Sequence, residues 1–343
     1  MSDPSEDDAD RRGNDTPDDA STDATVSGAS DEATPADTAS YATDSAVDDS
    51  SSTDSAPISP ETDATASELT DSDGGDPADT SPSPLRTVGA AFGLGIMGVA
   101  GLVAISIIVS GLFLLAEPLI GELSFAVTAL TPTVLGQFGG FVGGGLLYLY
   151  WRGFDLDDVL SYVGVRRPTL VESVIGLVGP IAVLITALSL GSLVLLVGAE
   201  PAQNEGAQLA LENPAILPIM ILVMLLVVGP AEEFLFRGVI QSRARETFSA
   251  APAIVLAAAV FAPLHVVSLT GGVTAMLITV SLLFVPSLLF GAVYEYTDNL
   301  VVVAVMHGIY NSLLLTLGYI AITYGGELEG AAADGTTALL LAL

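Results

Sequence analysis

The chain has two histidines, His265 and His307, and both lie in runs that are otherwise apolar. His265 closes the stretch FAPLH after Phe261, and His307 opens MHGIYN, which also contains Asn311. A third apolar run, LLVVGPAEEFLFRGVIQSRARE, carries Glu232, Glu233 and Arg237. An ionisable group inside a membrane-spanning segment costs at least ~2.5 kcal/mol on insertion scales, so each calls for a function or a partner. A carboxylate within reach of an imidazole can activate water, and an imidazole with a carboxamide can donate to a tetrahedral oxyanion. Glu232 beside an imidazole could serve the first task, and His307 with Asn311 can be the donors of the second. The same side chains allow another reading, since Glu232, His265 and His307 with an open water position form a known catalytic zinc set. The His-Glu-x-x-His zincin signature is absent. Both chemistries stay open on the residues alone.

Spacing divides the two glutamates. Glu233 and Arg237 are four apart with the acid first, the favourable order for an ion pair on a helix. Glu232 is rotated by about 100° from Glu233 and has no basic residue three or four positions on, which leaves it free for chemistry. His307 and Asn311 are also four apart and share a face. At a rise of about 1.5 Å per residue, Glu232 lies roughly 16 Å from the Arg243 end of its run, His265 roughly 20 Å from Pro252, and His307 and Asn311 roughly 12 and 18 Å from Asn299. Similar depths on three helices predict one polar cavity opening to the cytoplasm.

The elements that must hold these residues are transmembrane helices. Residues 88–116 are uncharged throughout, longer than the roughly 20 residues a helix needs to cross a bilayer. Comparable runs follow at 124–151, 173–198, 215–246, 252–269, 273–296 and 300–324, giving an all-α, polytopic bundle of about seven spans. Arg86, Arg152, Arg166, Arg167, Arg243 and Arg245 all fall at ends that are cytoplasmic if the amino terminus is inside, while the intervening loops with Glu117, Glu122, Glu200, Glu205 and Glu212 hold no arginine. The carboxyl terminus is then outside, in a multi-pass protein of the cell membrane. Glycines 136, 139, 140, 143, 144 and 145 give the second span a small-residue face for helix packing, and residues 153–172 read as an amphipathic element on the inner surface. Glu295 and Asp298 are expected to be solvated at the inner end of the sixth span.

Composition separates a second region. Of 40 acidic residues against 9 basic, 23 acids and two arginines lie in residues 1–84, which therefore hold −21 of the formal −31 charge. This Asp, Ser, Thr, Ala and Pro segment lacks the apolar side chains to offset the entropy of ordering, so 1–84 is expected to be a disordered acidic tail and 85–343 the helical domain. All nine basic residues are arginine, and with the acidic excess this suggests the high-salt cytoplasm of a halophilic archaeon. No cysteine is present, which excludes disulfides and thiol or thiolate chemistry. The polyanionic tail argues against nucleic acid as a partner. Ser268, Ser281 and Ser312 lie in ordinary apolar helix without a Gly-x-Ser-x-Gly setting.

The order Glu-Glu-x-x-x-Arg, Phe-x-x-x-His, His-x-x-x-Asn on successive membrane helices resembles the CPBP intramembrane proteases, named for CAAX proteases and bacteriocin-processing enzymes. The likeness covers about 210–318. It implies an intramembrane endopeptidase acting on a membrane-associated, lipidated or leader peptide, with lipid and peptide as its partners. It also implies that Glu232 and His265 activate water, that His307 and Asn311 stabilise the oxyanion, and that Glu233, Arg237 and Phe261 support the site. Many relatives are named metalloproteases, so zinc stays possible although water activation without a cofactor is preferred. The rival readings are a non-catalytic scaffold or immunity-type binding protein, and a proton-coupled transporter. The last is disfavoured by the lack of an internal repeat.

Overall fold

A computed structural model of the chain describes residues 83–324, 335, 339, 340, 342 and 343. The acidic tail therefore lies outside the described residues, except that Ser83 and Pro84, assigned to it on composition, belong to the first helix. Ser83 caps it by accepting from the Arg86 amide, and Pro84 takes the first turn, where its missing N–H costs nothing.

Among the described residues, seven helices are long and apolar enough to cross a membrane. They are α1 (Pro84–Ile120), α2 (Phe125–Trp151), α4 (Leu170–Leu196), α6 (Pro214–Arg245), α7 (Ala250–Ser268), α8 (Val273–Thr297) and α9 (Leu300–Tyr324). Two short helices lie between them, α3 (Leu156–Tyr162) and α5 (Glu205–Glu212). The predicted spans are all present, and the departure from an all-helical chain is two residues wide: β1 (Gln203–Asn204) pairs antiparallel with β2 (Leu269–Thr270). The ends follow local chemistry. Asp155 and Asp158 make a capping box for α3, as Thr169 and Glu172 do for α4, and Asp298 ends α8 with φ of 44°.

The glycine face of α2 packs on α1. A Cβ on Gly140 would sit 2.5 Å from the Gly98 carbonyl oxygen, and one on Gly136 would sit 2.9 Å from that of Leu102. Only glycine lets the two backbones come this close. The main core then joins α1, α2, α6, α7, α8 and α9 through Phe141, Leu235, Phe236, Phe261, Leu283 and Val303. Many large apolar side chains remain exposed on the outer faces, among them Leu114, Leu115, Leu147 and Leu177, as suits helices whose surroundings are hydrocarbon.

Among the described residues, Arg152, Arg243, Arg245 and Arg166 are tied into one end of the bundle. Arg152 at the end of α2 and Arg243 in the last turn of α6 both bind Glu246, and Tyr162 of α3 donates to the same carboxylate. The element at 153–172 is thus tied to the bundle, with Val159 and Val163 buried in the main core. Arg245 pairs with Glu295 at 2.8 Å, so Glu295 is ion-paired rather than simply solvated. Arg166 donates to the carbonyl of Thr297 at the end of α8.

Candidate active site

The crossing of α6 and α9 places the site. A Cβ on Gly229 would lie 2.8 Å from the Gly308 amide nitrogen and 2.9 Å from the Ala304 carbonyl oxygen, and one on Gly308 would lie 2.8 Å from Leu225 Cα. Two glycines therefore let backbone meet backbone. Glu232 follows Gly229 by one helical turn and His307 immediately precedes Gly308, so this contact sets acid and imidazole side by side. The ladder of α6 widens to i→i+5 hydrogen bonding over Met224–Val228 and again over Phe234–Gln241, with Gly229–Glu233 an ordinary α-helical turn between. Such wide turns rotate the side chains that follow them and are frequent at functional sites.

Glu233 faces away from solvent entirely. Its Oε1 accepts from Arg237 Nη1 at 2.8 Å and from His307 Nδ1 at 2.6 Å, and all three side chains are buried. Arg237 also donates through Nη2 to the Ser287 carbonyl and hydroxyl, both at 2.9 Å, and its guanidinium lies 5.0 Å from the Phe261 ring centre and 5.5 Å from that of Phe290. The expected i, i+4 ion pair is present, and the supporting residues Glu233, Arg237 and Phe261 form one cluster behind the site. Glu233 Oε2 and Arg237 Nε have no partner there.

Glu232 points the other way, onto a cavity of about 200 Å³ whose wall also includes His265, His307, Asn311, Phe261 and Tyr310. Its Oε1 accepts from Gln137 Nε2 of α2 at 3.3 Å, and its Oε2 faces His307 Nε2 at 3.7 Å. All four expected catalytic residues thus line one space, together with the apolar Met224, Leu283, Pro286 and Phe290 and the polar Asn204 and Ser268.

The pairing within that space differs from the expectation. His265 makes no hydrogen bond or ion pair with Glu232; its Nδ1 lies 3.1 Å from the carbonyl of Phe261, one turn back on its own helix. His307 is the imidazole beside Glu232, because the glycine crossing brings the backbone of α9 against that of α6 one turn from Glu232. His307 is held on both sides, stacked on Phe290 at 4.9 Å between ring centres and anchored at Nδ1 by Glu233. Facing a carboxylate oxygen, Nδ1 must carry the proton, so Nε2 donates only when the ring is the imidazolium and otherwise offers a lone pair. Asn311 has only the thioether of Met224 near its Nδ2, at 3.9 Å, which leaves its amide available to the cavity.

Among the described residues no three His, Cys, Asp or Glu gather closely enough to hold a metal ion. Of the zinc set Glu232, His265 and His307, each histidine has its Nδ1 held, by the Phe261 carbonyl and by Glu233, which leaves Nε2 as the nitrogen a metal would take, and His265 makes no hydrogen bond or ion pair with Glu232. The serine hydroxyls of 268, 281 and 312 each donate to a carbonyl of the preceding turn. Two participants escaped sequence reasoning. Gln137 was legible as a lone amide in a glycine-rich apolar run, and Tyr310 as the phenol next to Asn311. The Tyr310 hydroxyl is buried and has no partner.

Residues 214–313 match the model of the Rce1-like family, described as type II CAAX prenyl endopeptidase Rce1-like. Through this segment the chain is similar to that family. The match covers α6 to the middle of α9 and so takes in Glu232, Glu233, Arg237, Phe261, His265, His307 and Asn311. It agrees with the CPBP resemblance of the three motifs, and the segment lies within a chain whose described helices include seven long and apolar enough to cross a membrane. No curated protein and no solved structure matches the chain.

Proposed function

We propose that the protein is an intramembrane endopeptidase in which Glu232 removes a proton from water and His307 and Asn311 receive the oxyanion. The observation that carries this reading is a carboxylate, two imidazoles and a carboxamide on one largely apolar cavity. In such a space a preorganised donor is worth far more than in water. His307 as the imidazolium can donate from Nε2, and its charge fits the cluster: Glu232, Glu233, Arg237 and a protonated His307 sum to zero. That balance is favourable where unpaired charge is costly. His265, on the same wall, is assigned to the water, which bridges it to Glu232. The reading uses no resident metal.

The family's name supplies the substrate class, a peptide bearing a prenylated Cys-aliphatic-aliphatic-X end, or in a prokaryotic setting a leader peptide held at the membrane. The arginine-rich end of the bundle is placed in the cytoplasm, with the amino terminus on that side. The test compares membrane proteomes of cells carrying wild-type protein and Glu232→Gln at equal abundance, reading new peptide termini. An uncut precursor should accumulate with the variant, and the purified wild-type protein should cleave it in liposomes in the presence of a chelator. Identical termini in both strains, or loss of cleavage on chelation that zinc restores, would overturn the assignment.

A further inference from the structure

We infer that Gln137, which lies outside the Rce1-like segment, is a positioning residue for Glu232 and thereby part of the same site. The inference rests on the role proposed for Glu232. Gln137 is 6% exposed, and its Nε2 donates to Glu232 Oε1 at 3.3 Å across 95 residues of sequence. The amide orientation follows from its partner, since an amide oxygen turned toward the carboxylate would repel it. Apart from His307 at 3.7 Å, no other side chain among the described residues bonds Glu232.

The backbone that carries Gln137 is unusually well fixed. Gly136, the preceding residue, is pressed on α1 so closely that a Cβ would lie 2.6 Å from Ser106 Oγ. Immediately after it the helix opens into the i→i+5 stretch Gln137–Gly143, and Gly140 again meets α1 backbone. The side chain is therefore projected from a rigid two-helix contact onto α6. By holding Oε1, it leaves Oε2 as the oxygen that faces His307 and the cavity, and so selects which lone pair meets water. Packing alone would not ask for an amide here. Gln137 Oε1 is buried without a partner, so half of the amide is unmet and the Nε2 bond to Glu232 is what the residue supplies.

The test uses the full chain in liposomes and, as probe, the precursor that accumulates in Glu232→Gln membranes. Gln137→Met keeps the shape and removes the donor; Gln137→Ala removes both. For a positioning residue, Gln137→Met, assayed well below its melting temperature, should lose roughly 10- to 100-fold in kcat with KM unchanged, the scale set by small misplacements of a reacting group. Gln137→Ala should lose about as much kcat as Gln137→Met. Wild-type kcat in Gln137→Met, or losses that follow melting temperature in both variants, would overturn the inference. If instead Glu232→Gln itself cleaves, the assignment of Glu232 fails rather than that of Gln137 alone.

Discussion

Two carboxylates in this molecule are each bound by arginine and by a second donor, and they are treated in opposite ways. Glu246, at the arginine-rich end, receives four hydrogen bonds: Arg152 and Tyr162 on Oε1, at 2.7 and 2.6 Å, and Arg152 and Arg243 on Oε2, both at 3.0 Å. Glu233, deep in the bundle, receives two, both on Oε1, and its Oε2 has none. Bonding is thus richest where water could have replaced it and poorest where water cannot. A network built only for stability would be the reverse, because an unmet buried acceptor is expensive. Glu233 accepts that expense while fixing the tautomer and direction of His307. Glu246 fastens a helix end.

Breaking the buried network should have the larger effect. Glu233→Gln leaves the Arg237 guanidinium uncompensated in a dry core and should destabilise the protein by about 3–5 kcal/mol, read by denaturant unfolding in detergent. A wild-type unfolding midpoint would show that Arg237 does not depend on this partner. The comparison sharpens when both charges go together. Glu233→Met with Arg237→Leu should recover most of that stability, since apolar replacement of a buried pair is often neutral or better, but should not recover cleavage, because His307 has lost its orienting acceptor. Restored cleavage in the double variant would reduce Glu233 to a packing residue.

The exposed network should yield least. Glu246→Gln is expected to cost about 1 kcal/mol or less, as partly exposed ion pairs do, and less again in high salt. Burial alone would raise the Glu246 carboxyl, but hydrogen bonds from Arg152 and Tyr162 and the charges of Arg152 and Arg243 outweigh it and hold the group below its ordinary range. A carboxyl depressed on folding contributes fully above its unfolded value, about 4.3 for glutamate, and loses that contribution as pH falls through the lower folded value. The stability gap between wild type and Glu246→Gln should therefore be constant near neutrality and close below about pH 4. A gap that widens in acid would reverse the sign of this account.

Much of this was legible in the sequence, and the reasons are specific. The spans were readable because hydrocarbon admits few polar groups and helices of a known length. The Glu233 to Arg237 pair was readable because i, i+4 spacing is a local property of one helix. Which imidazole stands beside Glu232 was not, since that depends on how closely two helices approach. The cue was present in Gly229 and Gly308, but glycine is common in membrane helices and reveals its partner only in three dimensions. The same holds for Gln137, whose meaning comes from a residue 95 positions away. The widened turns of α2 and α6 further rotate faces that a constant 3.6-residue period would place elsewhere.

The cluster of Glu232, Glu233, Arg237 and His307 carries two negative and, with one proton shared between Glu232 and His307, two compensating charges or their neutral equivalents. Its sum is zero whichever of the two holds the proton. A transmembrane voltage does work of about 2.3 kcal/mol per 100 mV on each elementary charge moved across it. In the mechanism proposed above, Glu232 takes a proton from water while the oxyanion forms beside His307, so the positive and negative changes arise together within one site. The charge displaced on that step spans only a small fraction of the bilayer, and a transmembrane voltage does correspondingly little work on it.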